Sequence, residues 1–414
     1  MRWPRMVKAR QEFPRPAVRD LEGEIRREFS KLGLAGKIPP RGRVAITAGS
    51  RGIKDLPRIL RAVVEEVRRA GGEPFVVAAM GSHGRGTAEG QRAILQSLGI
   101  SGDTVAAPVC CDTEVAVVGV TVDGLPVYLD AAACRADGIV VVNRVKPHTA
   151  YRGEIESGLC KMLAVGLGKA KGAESVHRLG PGQMARVIPE MARIILAGGK
   201  VLAGLAIVEN AYEETARVEG VEPEAFLERE RELLREARAL MPGLPVDSLD
   251  LLIVEVMGKN ISGTGMDSNV IGRWGLEGVP EPDRPRIRRI AVLDLAPESH
   301  GNANGIGLAD FTTRRLVEKI DFQATYLNCL TSGFVRRAMI PMTFPTDRKA
   351  IAAALRSLHQ EDPSRTRVIR IKNTLHLGEL DISEALVEEV GQLSHVRLLG
   401  EPRAMSFDSQ GRLL

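Results

Sequence analysis

His148 closes the run Val142-Asn143-Arg144-Val145-Lys146-Pro147-His148, Lys161 follows thirteen residues later, and His177 stands sixteen beyond that. Imidazole, amine and imidazole in this order can supply a proton shuttle, a covalent anchor and a metal ligand within one short region. Two more polar residues sit in glycine-rich settings: Arg51 in Ala48-Gly49-Ser50-Arg51-Gly52, and His83 in Gly81-Ser82-His83-Gly84-Arg85-Gly86. Glycine there permits unusual backbone angles and close approach of a ligand. A lone histidine beyond a strand more often makes a structural hydrogen bond than it catalyses. The recurrence of a polar residue at three such places argues for chemistry.

The elements that must carry these residues are legible. Gly138-Ile139-Val140-Val141-Val142 is apolar and β-branched, which predicts a buried strand with the His148 cluster at its carboxyl end. Arg43–Thr47 and Phe75–Met80 are strand candidates that lead into the Arg51 and His83 loops. Leu56–Ala70 has helical spacing stopped by Gly71-Gly72, and Thr87 opens a helix that runs to about Leu98. Glu114–Val118 returns to strand character, and the alternation predicts a parallel sheet. Further on come a helix over Gln183–Leu196, a strand over Val201–Glu209 and a charged helix over Glu222–Leu240.

Met241-Pro242-Gly243-Leu244-Pro245 reads as a linker, dividing the chain into residues 1–245 and 246–414. The expectation is two α/β domains, with a Rossmann-like parallel sheet in the first and the active site in the cleft between them. In the second part, Leu251–Val256 leads into a Gly258-Lys259-Asn260 loop, and Ile290–Leu295 leads into Glu298–Gly305. Lys259 and Asn302 are the substrate-binding candidates there, Lys259 as a cation for a carboxylate. His359, His376 and His395 lack a supporting constellation.

Composition narrows the function classes. The chain has 414 residues and a formal charge of +5, with its 57 Lys and Arg interspersed among 52 Asp and Glu and only 4% aromatic residues. Nucleic-acid binders gather basic residues on one face, often with aromatics, so no nucleic-acid partner is expected. A mildly positive cleft suits a small anion or a phosphate-bearing cofactor. No apolar run is long enough to span a bilayer, and the start is charged, which predicts a cytoplasmic protein without a membrane partner. Five cysteines without a C-x-x-C pair argue against a disulfide framework or a zinc ribbon.

At Ser50-Arg51, Gly81-Ser82-His83, Val145-Lys146-Pro147-His148, Ser157-Gly158-Leu159-Cys160-Lys161 and His177, the chain resembles the lactate racemase family. These are nickel-pincer-nucleotide racemases and epimerases of 2-hydroxy acids. The resemblance implies that Lys161 holds the pyridinium-derived cofactor as a thioamide and that His177 ligates nickel. It makes His83 and His148 the acid/base pair, with Arg51 positioning substrate. It also places Gly81, Ser82, Lys146 and Gly158 on the cofactor, whose phosphate backbone amides would receive. The implied partners are a small 2-hydroxy acid and the enzymes that mature the pincer cofactor. Ala48 stands where the family commonly has Asp, and Leu159-Cys160 where a Gly-Pro-like pair is expected. These departures point to a divergent branch and leave the substrate open between lactate and a larger hydroxy acid.

Two other classes fit the same residues. His83, His148 and His177 could form a three-histidine zinc site of a hydrolase or lyase, with no task for Lys161. A non-catalytic binder of small anions would use the glycine loops alone.

Overall fold

The computed structural model describes residues 3–50 and 52–414. Arg15–Met241 forms one compact unit, and Pro242–Leu414 forms the other together with the N-terminal segment through Pro14. The chain therefore changes unit at Met241-Pro242, inside the Pro- and Gly-rich linker. The opening segment joins the C-terminal unit because β1 (Arg5–Gln11), which buries Val7, Ala9 and Gln11, finds its partners near the other end of the chain.

Within Arg15–Met241 the strands are β2 (Arg43–Ala48), β3 (Glu73–Ala78), β4 (Val109–Cys110), β5 (Val115–Val120), β6 (Pro126–Asp130), β7 (Gly138–Arg144), β8 (Val201–Glu209) and β9 (Thr215–Val221). Six of them form a sheet in the order β4-β3-β2-β7-β8-β9, parallel except for β9. The order runs outward from β2 to one edge and then from β7 to the other. It therefore reverses between β2 and β7, and at such a switch point the loops leaving the carboxyl ends diverge and leave room for a ligand.

The β-branched strands are buried because both sheet faces are covered. Ala45, Val77, Ile139 and Val141 face the helices Pro181–Ala197 and Phe226–Leu240. Val44, Ile46, Val76, Val140 and Val142 face the helices Leu21–Lys31 and Leu56–Arg69.

The stretch predicted as a returning parallel strand, Glu114–Val118, behaves differently. Its counterpart β5 pairs antiparallel with β6 in a separate hairpin. Asp123-Gly124 provides the turn, with the Gly124 N–H donating to the Thr121 carbonyl at 2.9 Å. The place beside β3 belongs to the two-residue β4.

The other unit contains β10 (Ser248–Val254), β11 (Arg286–Val292), β12 (Phe311–Thr313), β13 (Met342–Phe344), β14 (Val368–Ile371), β15 (Glu379–Ser383) and β16 (Val396–Ala404). Its sheet order is β13-β12-β11-β10-β14-β15-β1-β16. The five strands from β13 to β14 are parallel, whereas β15, β1 and β16 are joined antiparallel. The architecture is thus α/β with mixed sheets.

Candidate functional site

The loops carrying Ser50, His83 and His148 leave the carboxyl ends of three adjacent parallel strands, β2, β3 and β7. Arg51 lies outside the described residues. The first two loops meet directly, since the Ser50 hydroxyl is hydrogen-bonded to His83 Nδ1. The His83 N–H donates to the Met80 carbonyl at 3.1 Å, and the Gly81 N–H donates to Gly166 at 3.2 Å. Gly84 has φ +66°, and a Cβ there would lie 2.4 Å from the Gly90 backbone, so turn and helix close only around a glycine. Gly81 is buried, and Ser82 and His83 keep partial access to solvent.

His148 lies on an excursion from β7 that is closed at its neck by paired backbone bonds between Lys146 and Ser157, at 2.9 and 3.2 Å. Glu156, fully buried, is the anchor of this loop. Its carboxylate accepts from the His148 N–H at 2.5 Å and the Gly153 N–H at 3.2 Å, and Arg238 (2.5 Å) and Arg152 (3.5 Å) balance its charge. The His148 ring packs on Tyr151 with centroids 4.5 Å apart. His148 Nδ1 accepts from the Ala150 N–H at 3.0 Å. An amide N–H can only donate, so a neutral His148 carries its ring proton on Nε2.

Lys161 is held by a turn fastened at two points. Asn143, near the end of β7, donates to the Gly158 carbonyl at 2.7 Å. The Cys160 N–H donates to the buried Glu230 carboxyl at 2.9 Å. Gly158 must be small, because a Cβ would stand 2.4 Å from that carboxyl. Burial pushes Glu230 up to about 7 and raises the Cys160 thiol well above its ordinary value. Cys160 is therefore an inert thiol beside Lys161.

Beyond Lys161 the chain makes a π-helical turn, Met162–Gly166, and then the helix Lys169–His177. His177 keeps some surface open, yet desolvation first and the charge of Lys161 second lower it to about 4. The two residues are thus electrostatic neighbours, and the imidazole is neutral at physiological pH. A neutral imidazole is the form that binds a metal such as nickel, and the Lys161 side chain keeps partial access to solvent. These are the group types that a metal ligand and a covalent anchor require.

Lys259 and Asn302 belong to the other unit and meet at a residue that sequence reasoning did not select. Lys259 Nζ donates to Asn328 Oδ1 at 2.6 Å and to the Gly263 carbonyl at 2.6 Å, and Asn302 donates to the same Asn328 oxygen at 3.3 Å. Asn328, Glu156 and Glu230 were missed for one reason. Asn328 and Glu230 act on partners about 70 residues away, and Glu156 acts on backbone N–H groups of its own loop, which any sequence offers, so no side-chain spacing marks the three.

Among the described residues no group of three or more His, Cys, Asp or Glu could hold a metal ion. The three-histidine zinc alternative therefore has no assembled ligand set, because His83, His148 and His177 are all described. No described helix is long and apolar enough to cross a membrane.

Residues 39–178 match the lactate racemase N-terminal domain family, a segment that contains all the candidate residues of the Arg15–Met241 unit. No curated protein matches the chain. Among solved structures, a protein from Thermotoga maritima is similar with a TM-score of 0.53 at 15% identity, covering 80% of this chain and 83% of the other. The lactate racemase apoprotein from Thermoanaerobacterium thermosaccharolyticum gives 0.51 at 12% identity, covering 87% and 92%. Residues 39–178 thus carry the lactate racemase N-terminal domain match, and the two solved structures show that the fold is shared.

Proposed function

We propose that this protein is an isomerase of 2-hydroxy acids, a racemase or epimerase that uses a nickel-pincer nucleotide. The observation that supports the reading is that the Ser50–His83 pair, the His148 excursion and the Lys161 turn tied to Asn143 all border the carboxyl ends of β2, β3 and β7, three neighbouring strands of a doubly wound sheet. The lactate racemase N-terminal domain match covers the same residues.

In this reading Lys161 provides the amine for a thioamide, His177 provides a neutral nitrogen donor to nickel, and Gly81, Ser82, Lys146 and Gly158 line the cofactor. When bound, the nucleotide supplies an electrophilic centre able to accept hydride from Cα. The chain supplies the proton chemistry. Hydride leaves an alcohol carbon readily only as its hydroxyl proton is removed, so one imidazole serves each face of the 2-keto acid intermediate. His148 works through Nε2, and taking a proton there requires its Ala150 contact to open. Arg51 complements the substrate carboxylate through its planar fork, and Lys259, bonded to Asn328 beside Asn302, is the candidate cation of the other unit.

The test is co-expression with pincer-maturation enzymes, followed by intact mass and nickel measurement. The expected result is an adduct lost in Lys161→Ala, with nickel diminished in His177→Ala, and inversion of a 2-hydroxy acid without solvent deuterium entering Cα. An unchanged adduct mass in Lys161→Ala, or deuterium at Cα during turnover, overturns it.

A further inference from the structure

We propose that Lys169, which has no task above, is a positioning residue that fixes the His83 loop against the helix ending at His177. The proposal rests on reading those two histidines as site residues.

Lys169 is 1% exposed, and its ammonium is surrounded by polar groups drawn from three other elements. Asp130, fully buried at the end of β6, faces it at 2.9 Å. The carbonyl of Ala78, the last residue of β3, accepts from Nζ at 2.5 Å. Gln91, also fully buried, presents Oε1 at 3.5 Å and donates through Nε2 to the Gly81 carbonyl at 3.2 Å. Ala78 and Gly81 bracket the departure of the chain from β3 into the His83 loop. Lys169 therefore holds one of these carbonyls directly and the other through Gln91.

Lys169 is also the first residue of the helix that ends at His177, and it adopts φ +53°. A lysine in the left-handed region costs free energy, which the surrounding contacts must offset. A buried ion pair contributes little net stability compared with apolar residues of the same volume. What it provides is direction. Hydrogen bonds from one ammonium to Ala78 and Gln91, with the ion pair to Asp130 holding that ammonium in place, set the distance between the loop and the helix in a way that apolar packing does not. Gly81 closes the same gap from the other side, where a Cβ would touch Ala173 at 3.4 Å.

Lys169→Met alone leaves the Asp130 carboxylate buried without its cation and is liable to unfold the unit. The informative variants are Lys169→Met with Asp130→Asn, where asparagine can still accept from the Ala133 N–H, and Gln91→Met. In full-length protein the probe is diethylpyrocarbonate, with modification mapped by mass spectrometry at His83 and, as an internal reference, at His148. His83 should be modified about threefold or more faster in both variants, with His148 unchanged, because only the first loop loses its tether. In active enzyme kcat should fall about tenfold or more with KM little changed, as expected for a displaced catalytic group. Equal rates at His83 in variant and wild type, or a parallel rise at both histidines, overturns the proposal. Absence of isomerase activity in the wild type defeats the functional reading instead, and the modification rates decide the tether by themselves.

Discussion

The two imidazoles assigned to proton transfer are held in different ways. His83 pairs with a hydroxyl that can donate or accept, whereas His148 faces an amide that can only donate. His83 can exchange tautomers without breaking its contact; His148 cannot. If each histidine serves one enantiomer, His83→Ala and His148→Ala should each slow interconversion by about 10²–10⁴-fold. They should also retain opposite enantiomers as competent donors in the half-reaction to the 2-keto acid. Measuring that half-reaction from each enantiomer, in protein that keeps its nickel, checks the assignment. The same enantiomer surviving in both variants would refute it.

At the level of elements, the Lys161 turn depends on a carboxyl from the Phe226–Leu240 helix. Glu230 is raised from an ordinary 4.5 to about 7, so its contribution to stability is fully present below 4.5 and is lost as pH rises towards 7. His177 acts in the opposite sense, with stability lost as pH falls from 6.5 towards 4. Because Glu230→Gln keeps His177, that effect cancels in the comparison. The variant should gain on wild type by on the order of 3 kcal/mol between pH 4.5 and 7, read from urea unfolding across that range. A difference independent of pH would show that Glu230 is ionised throughout. Sequence reading found the strands that carry the site because β2, β3, β7 and β8 are continuous apolar runs between turn residues. It misplaced β5, since a short valine-rich strand looks the same in a hairpin as in a parallel sheet. It passed over Glu230 and Lys169 because a buried charge is recognised only by its partner, and Cys160 and Asp130 lie 70 and 39 residues away.

For the molecule as a whole, the two units differ in how the chain supplies them. Arg15–Met241 is one continuous segment with cores on both faces of its sheet. A polypeptide of residues 15–241 should fold alone, with cooperative unfolding and dispersed amide resonances. Residues 242–414 alone should not reach that state, because β16, at the sheet edge, is joined to the sheet through β1, and β15 loses that neighbour. Supplying residues 1–14 as a peptide should restore order, and well-dispersed resonances without the peptide would refute the dependence. The same interleaving sets an order of events at the ribosome. β1 is synthesised long before it can be paired, because β15 and β16 follow the whole of Arg15–Met241 and most of the other unit. Until then β1 waits as an unsatisfied strand ahead of a unit that is already folding, and a substitution that weakens β1 acts on the closing step of assembly.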